Sequence, residues 1–164
     1  MARNTAADAG KTTVLPETIC NGTALRKATR RVSQLYDQVL APCGLRSTQR
    51  SILIHIARAG TPSMGDLAAA LVLDRSALAH NLKPLERDGL IAVVVDPSDK
   101  RSRLVELTAP GKAKLEESYR LWHKAQHRFE AAFGSEQASA LRQSLALIAS
   151  PGFSKTFQEA ADLG

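Results

Sequence analysis

Aromatic residues make up only 4% of this 164-residue chain: two tyrosines, one tryptophan and four phenylalanines. Its core must therefore come mainly from Leu, Ala, Val and Ile, for which a hydrophobic content of 44% is ordinary globular material. Cysteine is scarcer still. Cys20 and Cys43 are too few and too far apart for a disulfide framework or a zinc ribbon, so a reducing cytoplasmic setting is expected. Long apolar runs are missing. Nothing approaches the roughly 20 residues of a membrane helix, and "MARNTAADAGKTTVLPE" has no apolar centre of signal-peptide length. Residues 1–15 read as a loose polar arm.

What is present in excess is positive charge. There are 22 Lys and Arg against 16 Asp and Glu, a net charge of +6. That balance favours an anionic partner, although a solvated basic surface accounts for it equally well.

Helical periodicity dominates the pattern. Leu25, Ala28, Val32, Leu35 and Val39 recur three and four apart in a helix opened by Pro16 and Glu17 and closed by Pro42 and Gly44. A second helix from about Ser47 turns Ile52, Leu53 and Ile56 inward and stops at Gly60. A short third helix starts with Ser63 as N-cap and Asp66 three residues on. Asp74 caps a fourth, whose stripe is Leu78, Leu82 and Leu85. Gly89 suits its left-handed end, and Pro84 predicts a kink or a loosened last turn. "LIAVVVD" and "RLVELT" then read as two strands, with Leu104 and Leu107 as anchors of the second. Beyond Ala109 a long helix places Leu115, Tyr119, Trp122, Phe129 and Phe133 on one stripe. Ser135 caps a last helix that turns Leu141, Leu145 and Ile148 inward and ends at Pro151 and Gly152.

The fold class expected is mainly α with a small β-hairpin. Residues 16–46 form an N-terminal dimerisation helix, 47–108 a winged helix-turn-helix, and 109–164 dimerisation helices with a tail. Two short helices joined at "VLD" allow the second to enter a DNA major groove. Its outer face carries Arg75, Ser76, Ala79, His80 and Lys83, small or hydrogen-bonding side chains that permit close approach to base edges. The hairpin tip "SDKRSR" concentrates Lys100, Arg101 and Arg103 as a basic finger for the minor groove. Asp99 beside them has a role only if it pairs, holding Arg101 extended.

The stretch "MGDLAAALVLDRSALAHNLKPLERDGLIAVVVDPSDKRSRLVELTAPGKAKL" resembles the core of the MarR family of bacterial transcription regulators, and "LRKATRRVSQLYDQVLAPCGL" resembles its first helix. About three quarters of the chain is involved, and "DPSDKRS" is the most specific piece. The resemblance implies a homodimer on a palindromic operator, usually a repressor released by a small molecule or by oxidation. It places the family's wing arginine on Arg101 with Asp99 its partner, and the recognition contacts on Arg75, Ser76, His80 and Lys83. Many relatives carry Arg where His80 stands, which implies a different operator preference.

Two triggers compete. The first is an anionic ligand, an aromatic acid or an acyl-thioester by resemblance, for which Arg26, Arg30 and His55 are the candidate contacts. The second is oxidation of Cys20, which lies two residues from the family's sensing position at Gly22. His123 and His127 share a helix face but lack a third ligand and the Glu of the zinc-protease motif, so no metal is expected. No phosphate loop and no nucleophile elbow appears, so neither an enzyme nor a cofactor is expected. The competing class is a helical protein-interaction module that does not bind DNA.

Overall fold

The computed structural model describes residues 20–160. The polar arm at 1–15 and the helix opening at Pro16 and Glu17 lie outside them. The chain divides between Val32 and Ser33 into two compact units. In the first, helix α1 (Asn21–Leu40) begins directly after Cys20. Its residues up to Arg31 are largely exposed.

The second unit carries the rest: the end of α1, a 3₁₀ turn over Ala41–Cys43, α2 (Ser47–Ala59), α3 (Met64–Ala70), α4 (Arg75–Arg87), strands β1 (Ile91–Val95) and β2 (Arg103–Leu107), α5 (Ala109–Phe133), α6 (Ser135–Ile148) and α7 (Pro151–Glu159). The strands pair antiparallel, with Val93 opposite Val105. Leu53, Ile56, Leu67, Leu78, Leu85 and Val105 are fully enclosed and knit α2, α3, α4 and the hairpin into one core. Each such side chain contributes about 1.5–3 kcal/mol of transfer free energy.

Local chemistry sets the joints. The Ser63 hydroxyl accepts the Asp66 N–H at 3.1 Å and donates to the Asp66 carboxylate at 2.7 Å. Asp74 accepts the Ala77 N–H at 2.7 Å. Both caps satisfy amides that a helix start leaves open. At the far end of α4, Gly89 is left-handed at φ 68°. The Leu90 and Gly89 amides close back on Leu85 and Glu86, each at 2.9 Å. The helix runs through Pro84, and the Asp88 N–H still reaches the Pro84 carbonyl at 3.0 Å. That bond closes the last turn, so the helix continues past Pro84.

Thr108 links hairpin to α5. Its hydroxyl donates to the Gly89 carbonyl at 2.6 Å and accepts the Gly111 N–H at 3.0 Å. Its own N–H meets the Leu90 carbonyl at 3.2 Å. Gly111 is buried there because a Cβ would strike the Leu90 carbonyl.

Several periodicity readings are corrected. Val105, not Leu104 or Leu107, is the buried anchor of β2. Leu104 and Leu107 are three apart and cannot share a face of a strand whose period is two. The Val105 N–H instead joins the Pro62 carbonyl at 2.9 Å, and Ser63 bridges Leu104, so Pro62–Ser63 acts as a short third edge. Along α5 the buried positions are Gly111, Ser118 and Ala125, while Tyr119 and Phe133 stand about half exposed. Small residues permit the close approach that large ones block. Ser135 is the first residue of α6 rather than its cap, a place taken by Gly134. Only Ala138 of α6 is buried. Leu145, Leu147 and Ile148 are exposed, as are Phe153 and Phe157 on α7. Pro151 opens α7, capped by Ser150, instead of closing α6.

Candidate nucleic-acid interface

Helix α3 hands over to α4 through a turn closed by two backbone bonds, from Val72 to Ala69 at 3.1 Å and from Leu73 to Ala68 at 2.9 Å. Val72 occupies the left-handed position at φ 53°, the one described non-glycine residue with positive φ. A β-branched side chain is strained there. Val72 is 68% exposed, so packing does not impose the choice.

Helix α4 buries Leu78, Leu82 and Leu85 against the core. Its opposite face presents Arg75, Ser76, His80 and Lys83 to solvent, with Ala79 half-buried among them. These spacings follow one side of the helix for two turns, so the expected recognition residues are brought together on one surface. Ala79 keeps the middle of that surface low, letting the flanking side chains reach a flat partner.

The wing is held by its own polar side chains. Asp96 accepts both the Ser98 N–H at 2.8 Å and the Ser98 hydroxyl at 2.6 Å. These bonds from Ser98 hold the Asp96 carboxyl below its ordinary pKa. Asp99 accepts the Arg101 backbone N–H at 2.9 Å, and its carbonyl accepts the Ser102 N–H at 2.8 Å. The expected Asp99–Arg101 pairing thus runs to the backbone of Arg101 and not to its guanidinium. A carboxylate two residues ahead of an amide closes a turn more readily than it meets a long flexible head. The Arg101 guanidinium has no partner among the described residues and projects with Lys100 from the tip. Arg103 behaves differently. Its guanidinium folds back to the Lys100 and Ser102 carbonyls, both at 3.1 Å, bracing the tip from within.

The other sequence-derived candidates fall elsewhere. Arg26 and Arg30 stand exposed on the first unit. His55 is half-buried on α2, its Nδ1 2.7 Å from the Ser51 carbonyl oxygen. Cys20 is exposed. Its sulfur accepts from the Thr23 hydroxyl at 3.3 Å and the Thr23 N–H at 3.4 Å, which lowers the thiol pKa. Cys43 is buried and donates to the Leu40 carbonyl. His123 and His127 are exposed on α5, and no trio of potential metal ligands occurs among the described residues.

Sequence reading passed over Arg50. It is only 7% exposed, on the core side of α2. Its Nε donates to the Ser118 hydroxyl at 3.1 Å, and its guanidinium carbon lies 4.6 Å from the Trp122 ring centroid. Burial is the main cause holding its pKa below that of a free guanidinium. The signal was legible: Arg50 precedes Leu53 by three, so a charge occupies a position on the apolar stripe.

A short helix-turn-helix backed by a two-stranded hairpin with a cationic tip defines the winged helix-turn-helix class, in which the second helix can lie in a DNA major groove. The sequence pattern of the MarR family matches residues 44–102. The multiple antibiotic resistance protein MarR of Salmonella typhimurium is 31% identical over 103 residues, covering 63% of this chain and 72% of that protein. The chain belongs to the MarR family of transcription regulators. The transcriptional activatory protein BadR of Rhodopseudomonas palustris is 42% identical over 72 residues, a match spanning 42% of this chain and 41% of that relative. Among solved structures, the M. tuberculosis transcriptional regulator MOSR in complex with DNA superposes with a TM-score of 0.72 at 35% identity, covering 79% of this chain and 93% of that one. The transcriptional repressor CouR bound to a 23-mer DNA duplex gives 0.73 at 29%, covering 81% and 94%. Fold and family are those of transcription regulators, not enzymes. No described helix is long and apolar enough to cross a membrane.

Proposed function

We propose that this protein is a homodimeric, sequence-specific regulator, a repressor on a palindromic duplex operator, and that a small anionic ligand releases it. The observation that carries the reading is the solvent-facing row Arg75, Ser76, His80 and Lys83 on α4 beside a braced wing whose Arg101 head has no partner among the described residues. In this reading α4 lies in the major groove. Arg75 and His80 donate to base edges, Ser76 and Lys83 meet bases or phosphates, and Lys100 and Arg101 enter the adjacent minor groove. Asp99 and Arg103 shape the wing rather than touch DNA. The two relatives solved on DNA support this geometry.

Residues 16–46 and 109–164 serve as the dimerisation segments. The exposed Leu145, Leu147, Ile148 and Phe157 support that role, because a lone chain gains nothing by wetting them. Two-fold pairing would set two α4 helices about 34 Å apart, one turn of DNA.

Selection of duplexes from a random pool by the full-length protein tests the reading. It should return a palindrome bound with affinity that falls steeply as salt rises, since phosphate contacts release counterions. A helical interaction module would return neither a motif nor a salt slope. Cys20 supports a second reading, regulation by oxidation, because its thiol is exposed and poised toward the thiolate. Peroxide treatment should then weaken operator binding in the wild type and leave Cys20→Ser unaffected.

A further inference from the structure

Positive charge is gathered on the first unit. Arg26, Lys27, Arg30 and Arg31 place four of the chain's 22 basic residues within six positions. All four are exposed on α1. Before Asp37 the helix has no Asp or Glu. The Asp37 carboxylate already accepts the Ser47 N–H at 2.6 Å, at the start of α2. Arg26, Arg30 and Arg31 make no hydrogen bond or ion pair among the described residues.

Spacing sets these charges against each other. Arg26 and Arg30 are four apart, as are Lys27 and Arg31, and like charges at that spacing destabilise a helix. An anion on this face relieves both pairs. With about 100° between successive residues, the four occupy the side of α1 opposite Leu25, Ala28 and Val32. A partner chain covering the apolar stripe therefore leaves the basic side open. That side is exposed helix surface, whereas small-molecule sites enclose most of their guest. An extended polyanion suits it better. From Arg26 to Arg30 the helix advances about 6 Å, close to the rise of two phosphates on one DNA strand at about 3.4 Å each.

We propose that the basic side of α1 binds the phosphate backbone of duplex DNA, a sequence-independent clamp in addition to the contacts of α4 and the wing. Arg26, Arg30 and Arg31 donate to phosphate oxygens. The contrast with the wing gives the reason for backbone rather than base contact. There Asp96, Asp99 and Arg103 hold the tip in one shape. On α1 no hydrogen bond fixes the three arginine heads, and unbraced heads follow charge rather than base edges. Arg26 and Arg30 thus serve the duplex and not the small anionic ligand expected of them. The proposal rests on the regulator reading for the identity of its partner.

Fluorescence anisotropy of the full-length protein with labelled duplex, at several salt concentrations, tests it. Two duplexes of equal length are compared, the selected palindrome and its scramble. Each phosphate contact contributes about 0.9 to the slope of log K against log salt. Replacing all three arginines (Arg26→Gln, Arg30→Gln and Arg31→Gln together) should lower that slope by at least about 2 on both duplexes. The affinity ratio of palindrome to scramble should stay unchanged. Changing the same three to Lys should keep the slope, since lysine also meets phosphate. Tm should not fall in the Gln variant, because like-charge pairs are removed. If that variant does not fold, Arg30→Gln alone should lower the slope by about 1. Arg58→Gln, the same charge change at an exposed position on α2, should not. Three results would each overturn the clamp: an unchanged slope, as an acidic protein partner would give; a slope lowered equally by Arg58→Gln; or a loss confined to the palindrome. A protein with no palindrome preference, whose slope still depends on the three arginines, sinks the regulator reading and leaves the clamp standing. A palindrome bound with a slope indifferent to them leaves the regulator without the clamp.

Discussion

The Leu90 carbonyl oxygen occupies the space that a Cβ on Gly111 would need. The same carbonyl accepts the Thr108 N–H, so it cannot move aside without breaking the joint between α4, hairpin and α5. Gly111→Ala is expected to destabilise the protein by about 3 kcal/mol, at the upper end of overpacking costs, since backbone and not a flexible side chain must yield. Chemical denaturation measures this. Thr108→Val, which keeps shape and loses the cap, should cost about 1 kcal/mol.

Val72 is the opposite case, a strained residue in open space. Its left-handed backbone costs roughly 1–2 kcal/mol for a side chain, part of which glycine returns to the unfolded state as entropy. Val72→Gly should therefore stabilise by about 1 kcal/mol and raise Tm by about 2–4 °C. A fall in Tm would show that the exposed valine is packed in solution. Because the turn sets the angle between α3 and α4, operator affinity of this variant is worth measuring beside Tm.

The wing's order should survive acid. Hydrogen bonds from Ser98 depress the Asp96 pKa. A depressed carboxylate contributes while it is ionised, and that contribution is lost as pH falls through its lowered folded value. The Ser98 amide should therefore keep its bonded chemical shift on descending through the ordinary aspartate range near pH 4 and lose it only below. Loss at or above pH 4 would contradict the Asp96 contact. Asp96→Asn should remove that pH dependence without unfolding the core, since the contact is solvent-exposed.

Cys20 and Cys43 should differ sharply toward iodoacetamide. Cys20 is exposed and its thiol is lowered by Thr23, whereas Cys43 is buried. Peptide mass mapping should find Cys20 alkylated first, with a rate whose pH midpoint lies below that of a free thiol, about 8.5. Thr23→Val should raise that midpoint. Equal rates at the two cysteines would contradict the placement.

Much of this molecule was legible in advance because caps and turns are local. Ser63, Asp74 and Gly89 act where spacing put them, and the α4 stripe of Leu78, Leu82 and Leu85 is buried as read. The errors share one origin. Periodicity reports which residues share a face but not how closely a neighbour approaches. Hence α5 buries Gly111, Ser118 and Ala125 where larger residues were expected inward, and β2 turns on Val105 because Pro62 supplies a third edge. Leu145 and Ile148 of α6 were assigned inward, yet a single chain leaves them wet. Arg50 was missed for a related reason. Its place on the apolar stripe was there to read, but a long basic side chain is usually solvated, and the packing of α2 on α5 encloses this one.

The central claim is that α4 and the wing read DNA, and the affinity of Arg101→Ala for the selected palindrome tests it most directly. Fluorescence anisotropy at fixed salt should show a loss of about ten- to a hundred-fold, the scale of one specific groove contact, with Tm unchanged because the guanidinium has no partner among the described residues. Undiminished affinity in a folded Arg101→Ala protein would contradict the account.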